Sequence, residues 1–134
     1  MDNLKIKGSH GDFFIPEVDF NAKTGILLLS GESYLEDTAK FYAPVLQWLR
    51  DYTDKAYGPI MLNIKLTYFN TSSSRSILDI LYILKEYEDN GGDVNINWFY
   101  NGDDYEIEEE VEDYMIDTGL KINLIVMDEE EEEQ

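Results

Sequence analysis

Four hydroxyl side chains stand in a row, Thr71, Ser72, Ser73 and Ser74, with Asn70 before them and Arg75 after. Residues of these types can do four different things. One of them, or Asn70, can cap a helix by accepting a backbone N–H. One can serve as a nucleophile if a base lies within hydrogen-bond reach. Together with a helix start they can hold an anion. One can accept and lose a phosphate, which would put about two negative charges on an otherwise uncharged spot. A cap needs only one such residue, and here five polar residues run together. A helix beginning near Ser72 would offer a phosphate its unpaired N–H groups and partial positive charge, with Arg75 in its first turn. On pattern alone, the plain cap and the phosphosite both stay open.

Other chemistry-bearing residues are sparse. The one histidine, His10, falls in a polar N-terminal stretch and reads as a surface residue, because a catalytic role would require it to reach a distant, ordered site. The chain has no phosphate-cradling glycine loop, dinucleotide fingerprint or nucleophile elbow. The acidic stretch 103–113 lacks the register of a calcium loop and reads as a solvated helix face. No metal and no cofactor is therefore expected. Asn70-Thr71-Ser72 matches a glycosylation sequon, idle without a secretory signal. The enzymatic alternative is a small hydrolase or anion-binding enzyme using the run Thr71 to Ser74. It requires a base against Thr71 or a neighbouring serine, and a pocket above a sheet.

The elements that must position this run follow from periodicity. Residues 1–12 read as a loose arm or short edge strand, and "FFIPEVDF" (13–20) and "GILLLSG" (25–31) as a hairpin around "NAKTG". Pro16 suits an edge. Ser33 and Glu36 have capping-box spacing for a helix carrying Phe41, Val45, Trp48, Leu49 and Tyr52, with Pro44 inside it. "AYGP" (56–59) ends that helix. In "IMLNIKLTYF" (60–69) Ile60, Leu62, Ile64, Leu66 and Tyr68 form one apolar face. The hydroxyl run then opens a helix striped by Ile77, Leu81, Leu84 and Tyr87, and stopped by Asn90-Gly91-Gly92. A strand (93–100), a helix (103–118, striped by Tyr105, Ile107, Val111, Tyr114 and Met115) and a last strand (120–127) complete the order β-β-α-β-α-β-α-β. This is an α/β fold of STAS-like layout: a mixed sheet with an N-terminal hairpin, and later parallel strands alternating with three helices. In such sheets ligand crevices lie at the carboxyl ends of the strands, where the hydroxyl run falls.

Composition bounds the role. The 134 residues suit one domain, residues 1–127, followed by an acidic tail, 128–134, too charged to pack. The net charge is −19; Asp128 to Glu133 supply six of those negatives, so −13 stays with the domain. Such a chain repels phosphate backbones and anionic lipid, which argues against nucleic-acid and membrane partners. No apolar run approaches the ~20 residues of a membrane span. With no cysteine and no secretory signal, the cytoplasm is the expected compartment.

Four stretches, "GESYLEDTAKFYAPVLQWL" (31–49), "LNIKLTYFNTSSSRSILDIL" (62–81), "VNINWFY" (94–100) and "INLIV" (122–126), together resemble the SiaC family of bacterial regulatory phosphoproteins. The resemblance spans roughly residues 4–127, and Tyr-Phe-Asn-Thr-Ser-Ser is its most specific part. It departs at Leu35, where the family often has proline, and at Ser74-Arg75-Ser76, which lengthens the hydroxyl run. It implies a non-enzymatic, STAS-like switch. A threonine of the Asn-Thr-Ser-Ser motif is phosphorylated by a partner protein kinase and dephosphorylated by a PP2C-type phosphatase. The unphosphorylated form binds and activates a diguanylate cyclase, linking the cycle to cyclic-di-GMP and biofilm regulation. By position, Asn70-Thr71-Ser72-Ser73 match the motif. Thr71 is then the phosphoacceptor, with Asn70, Ser72, Ser73, Ser74 and Arg75 around it.

Overall fold

A computed structural model describes residues 1–55 and 58–127. Ala56 and Tyr57, expected in the turn that ends the first helix, and the tail 128–134, expected to be disordered, lie outside the described residues. The chain runs β1 (Leu4–Ile6), β2 (Ser9–His10), β3 (Phe14–Ile15), β4 (Glu17–Phe20), β5 (Ile26–Ser33), α1 (Thr38–Lys55), β6 (Ile60–Phe69), α2 (Thr71–Asp89), β7 (Val94–Tyr100), α3 (Tyr105–Thr118) and β8 (Asn123–Val126). Six strands form one sheet in the order β1-β4-β5-β6-β7-β8, while β2 and β3 pair separately. The first two contacts, β1–β4 and β4–β5, are antiparallel, and the last three are parallel. The expected mixed α/β layout is what forms.

The expected hairpin is β4–β5. Its turn is held by Asn21, whose Oδ1 accepts the N–H groups of Lys23 (2.9 Å) and Thr24 (3.1 Å). Gly25 closes it at φ +73, where a Cβ would collide with the Pro59 carbonyl oxygen. From β5 onward each strand lies beside the one before it. Right-handed crossovers then put α1, α2 and α3 on the same face of the sheet. That face is the core: Leu27, Leu29, Leu62, Ile64, Ile96 and Trp98 from the strands meet Tyr42, Val45, Leu49, Ile77, Leu81 and Val111 from the helices. Each buried Leu, Ile or Val of this set contributes about 1.5–3 kcal/mol relative to exposure. Among the described residues the opposite face carries no helix. Its centre is a ladder of asparagine amides, Asn97 donating to Asn63 and Asn123 donating to Asn97, both at 3.0 Å.

Five local expectations are corrected. The strand read at 13–20 is two strands separated by Pro16, and the chain passes there from the small β2–β3 pair into the main sheet. Pro16 is buried, and β1, not the Pro16 segment, forms the edge. Ser33 does not cap α1: it is the last residue of β5 and fully buried, and Asp37 caps instead, accepting the Lys40 N–H at 3.1 Å. Tyr68 does not share the apolar face of β6. Gly31 pairs with Leu66 but Glu32 pairs with Tyr68, so Thr67 is an extra residue, a bulge. The bulge inverts the alternation, leaving Tyr68 exposed and turning Phe69 inward against Trp98, ring centroids 5.7 Å apart. Tyr105, assigned to the α3 stripe, is the helix's first residue and lies exposed.

Candidate functional site

The hydroxyl run begins where β6 ends. Asn70 keeps extended backbone angles (φ −86, ψ 178) and its Oδ1 accepts the Ser73 N–H at 3.0 Å, so Asn70 is the cap of α2 and Thr71 the first helical residue. With a cap already in place, the four hydroxyls are free for other contacts, and three of them make them.

Each serine reaches a different neighbour. A hydroxyl has one proton, which fixes the direction of each chain. Ser72 donates to Asn70 Oδ1 (3.1 Å), so the Thr38 hydroxyl of α1 donates to Ser72 (2.8 Å). Ser73 donates to the Ser33 carbonyl (3.0 Å), and Ser33 Oγ donates to Ser73 Oγ (2.8 Å), so the Tyr42 phenol of α1 donates to Ser33 Oγ (2.8 Å). Ser74 donates to Glu110 Oε1 (2.5 Å), so the Tyr114 phenol donates to Ser74 (2.6 Å), both partners belonging to α3. Burial shapes this network. It pushes the Tyr42 phenol up to about 12. It also raises Tyr114, with the Glu110 carboxylate acting in the same direction. Both phenols therefore keep their protons and remain donors.

Thr71 differs from all three. It is exposed, and among the described residues its hydroxyl has no hydrogen-bond partner. It opens onto a shallow hollow of about 210 Å³, whose walls are Tyr68, Phe69, Asn70 and Ser74 on one side and Asp104, Glu106, Ile107 and Glu110 on the other. Asp104 is itself engaged, accepting the Ile107 N–H as the cap of α3. Arg75 is exposed and pairs with Asp79 one turn along α2 at 3.5 Å. The structure thus brings Asn70 and Thr71 to Ser74 into one helix start and turns Arg75 along the helix surface. Glu110 and Tyr114, which sequence reasoning left on a solvated acidic face and a core stripe, belong to the site. Ser33 and Tyr42 lie beneath it.

The requirements of a hydrolase are met only in part. The carboxylate in contact with the run, Glu110, sits on Ser74 rather than on Thr71. His10 is exposed on β2 and rests on Glu32 (3.2 Å), within a surface cluster that includes Phe14 at a ring distance of 5.0 Å. Among the described residues no group of three or more His, Asp or Glu side chains is placed to hold a metal. No helix among them is long and apolar enough to cross a membrane. A larger groove, about 700 Å³, lies between the C-terminal halves of α1 and α2, with Arg50, Asp51 and Glu86 among its lining residues. The parallel topology puts it at the opposite end of the sheet from Thr71.

Comparison with known proteins adds the following. The family model described as SiaC family regulatory phosphoprotein matches residues 7–127. A curated protein of Pseudomonas aeruginosa (strain UCBPP-PA14) is 27% identical over 129 residues, covering 96% of this chain and all of that one. Among solved structures, SiaC of Pseudomonas aeruginosa superposes with a TM-score of 0.85 at 26% identity, over 95% of this chain and 100% of that one. The structure of the diguanylate cyclase SiaD in complex with its activator SiaC, from the same organism, contains a chain that matches with a TM-score of 0.85 at 26% identity, over 92% of this chain and 99% of that one.

Proposed function

The chain belongs to the SiaC family of regulatory phosphoproteins, and from that premise we propose that it is a non-enzymatic cytoplasmic switch whose phosphoacceptor is Thr71. A partner protein kinase adds the phosphate and a PP2C-type phosphatase removes it. The unphosphorylated form docks on, and activates, a diguanylate cyclase, as SiaC is the activator of SiaD in the related complex.

One observation carries the choice of residue. Of four adjacent hydroxyls, Thr71 alone is both exposed and without a hydrogen bond among the described residues, whereas Ser72, Ser73 and Ser74 each hold a neighbouring element. Modifying Thr71 breaks no contact within the fold. The added dianion meets only the partial charge of the α2 N-terminus, since Arg75 is drawn to Asp79 and the facing wall carries Asp104, Glu106 and Glu110. The phosphate therefore stays at the surface with little neutralisation from its own chain. A partner fitted to neutral Thr71 must desolvate it at a cost of several kcal/mol. Release follows from that cost.

The test compares Thr71→Glu with Thr71→Ala in binding to the cyclase. The glutamate variant is expected to bind about tenfold more weakly or worse, and the alanine variant to bind nearly as wild type. Equal affinity of the glutamate variant and wild type ends this reading. Intact-mass measurement after incubation with the kinase should show one phosphate on wild type and none on Thr71→Ala. A second reading, the small hydrolase, has one contact in its favour: the Glu110 carboxylate on Ser74. Labelling of Ser74 by a fluorophosphonate would support it, and inertness would dismiss it.

A further inference from the structure

The open face of the sheet is not uniform. Its centre is the asparagine ladder, but its carboxyl end is aromatic. Tyr34 and Tyr68 are 41% and 48% exposed there, and Phe13, at 36%, lies 5.7 Å from Tyr34, ring to ring. The register explains how they meet. Glu32 pairs with Tyr68 across β5 and β6, and Tyr34 lies two residues beyond Glu32, hence on the same side. The β2–β3 pair is fixed beside them by the bridge between Phe14 and Tyr34, whose backbone hydrogen bonds measure 2.8 and 2.9 Å. The start of the stretch 13–20 thus holds an aromatic ring, Phe13, against the end of β5. Exposed aromatics gathered in one place, rather than scattered singly, mark interaction surfaces.

The charge next to this patch is negative. Glu32 lies opposite Tyr68, with His10 resting on one of its carboxylate oxygens at 3.2 Å, and Glu17, one strand over, is exposed and anchored by the Ser30 hydroxyl at 3.0 Å. Lys65, on the same face, is drawn over the Phe99 ring at 4.9 Å. Tyr68 also lines the hollow in front of Thr71, so the patch and the hydroxyl run are continuous.

We propose that this aromatic end of the open sheet face is the docking surface of the switch. Its occupant is a partner protein segment presenting an apolar stripe to Tyr34, Tyr68 and Phe13, and lysine or arginine to Glu17 and Glu32. The proposal rests on Thr71 being the switch residue and adds where the partner lies: over the strands, not along α2. Tyr68 is the shared wall, so a phosphate on Thr71 meets the rim of the bound segment, on the side away from the cations.

The experiment selects a displayed random-peptide library on the immobilised full chain. The selected peptides are then measured against variants by fluorescence anisotropy. The expected peptides combine aromatic or aliphatic residues with lysine or arginine. They bind Tyr34→Ala and Tyr68→Ala about tenfold more weakly or worse, weaken on Glu32→Lys and in high salt, and ignore Tyr82→Ala, an exposed tyrosine on α2. Circular dichroism confirms that each variant is folded, and Tyr68→Phe should restore most of the affinity. The surface is overturned if no peptide is selected, or if those selected lack cations, or bind the two tyrosine variants as well as wild type. Thr71→Glu separates the two readings. Peptides that need Tyr34 and Tyr68 yet bind Thr71→Glu unchanged leave the surface standing and refute the switch.

Discussion

Alanine substitutions along residues 71–74 should give four different stabilities from four neighbouring side chains of nearly the same chemistry. Ser73→Ala should be the costliest. Ser73 and Ser33 are both fully buried, and the substitution removes the acceptor of the Ser33 hydroxyl and one donor to the Ser33 carbonyl. The Asn70 N–H still reaches that carbonyl at 3.3 Å, but the Ser33 proton has nowhere to go unless the Tyr42 contact reverses. A buried donor left unmatched costs roughly 1–3 kcal/mol, so about 2 kcal/mol is the expected loss, or roughly 6–10 °C in Tm for a chain of this size. Ser74→Ala should cost about 1 kcal/mol, because Glu110 and Tyr114 lose a shared partner at a half-buried place where water can replace it. Ser72→Ala should cost about 0.5 kcal/mol, its partners being exposed. Thr71→Ala should stay within about 0.5 kcal/mol of wild type, since no contact is removed. Urea and thermal unfolding followed by far-UV circular dichroism measure the series. If Ser73→Ala is no worse than Thr71→Ala, the three anchoring chains do not hold α2 in place, and Thr71 is not set apart from the serines that follow it.

Further outcomes follow from single features. The Tyr42 phenol is raised from 10.0 to about 12, so its contribution to stability is complete below pH 10 and falls as pH climbs towards 12, by about 1.4 kcal/mol per pH unit; Tyr42→Phe should lessen that alkaline decline in urea midpoints, leaving the part that belongs to Tyr114, Tyr52 and Tyr100, which are raised as well. Asn70→Ala should cost about 1 kcal/mol and speed amide exchange in the first turn of α2, while Asn70→Asp should restore both. Gly25→Ala should cost about 3 kcal/mol or more, because φ is +73 and the new Cβ meets the Pro59 carbonyl; a urea midpoint close to wild type would mean that the β4–β5 turn can shift.

The parts of the fold legible in the sequence are those with long, regular alternation. The stripe Ile77, Leu81, Leu84 and Tyr87 on α2 and the alternation Ile60, Leu62, Ile64 and Leu66 on β6 each repeat often enough to fix both element and face. The errors fall where one residue changes the rule. Thr67 adds a residue to β6, and period-two reasoning cannot detect an insertion from inside the strand that carries it, so alternation alone puts Tyr68 on the apolar face. Ser33 and Glu36 had the spacing of a capping box, but spacing says nothing of depth. Ser33 is the end of a strand whose hydroxyl is needed beneath α2, and Asp37 stood nearer the true helix start. Ser33 and Tyr42 were invisible as part of the site because both contacts span crossovers, and only the fold brings residue 33 to residue 73.

This locates the site's logic in its least conspicuous members. A run of hydroxyls read one at a time offers four equivalent acceptors, and nothing in residue type separates a threonine from three serines. Their different fates come from the direction in which each leaves the helix. Successive residues of a helix point about 100° apart, so the four in a row face solvent, α1, β5 and α3 in turn. The neighbours at residues 38, 33 and 110 take up the three inward directions, and position 71 keeps the outward one. A serine at 71 would inherit the same freedom, and a threonine at 73 the same burial. Exchanging the two residue types, Thr71→Ser with Ser73→Thr, should therefore leave phosphorylation at position 71, as read by peptide mapping of the kinase-treated protein. A phosphate that followed the threonine into the buried position would show that recognition reads the side chain rather than its place.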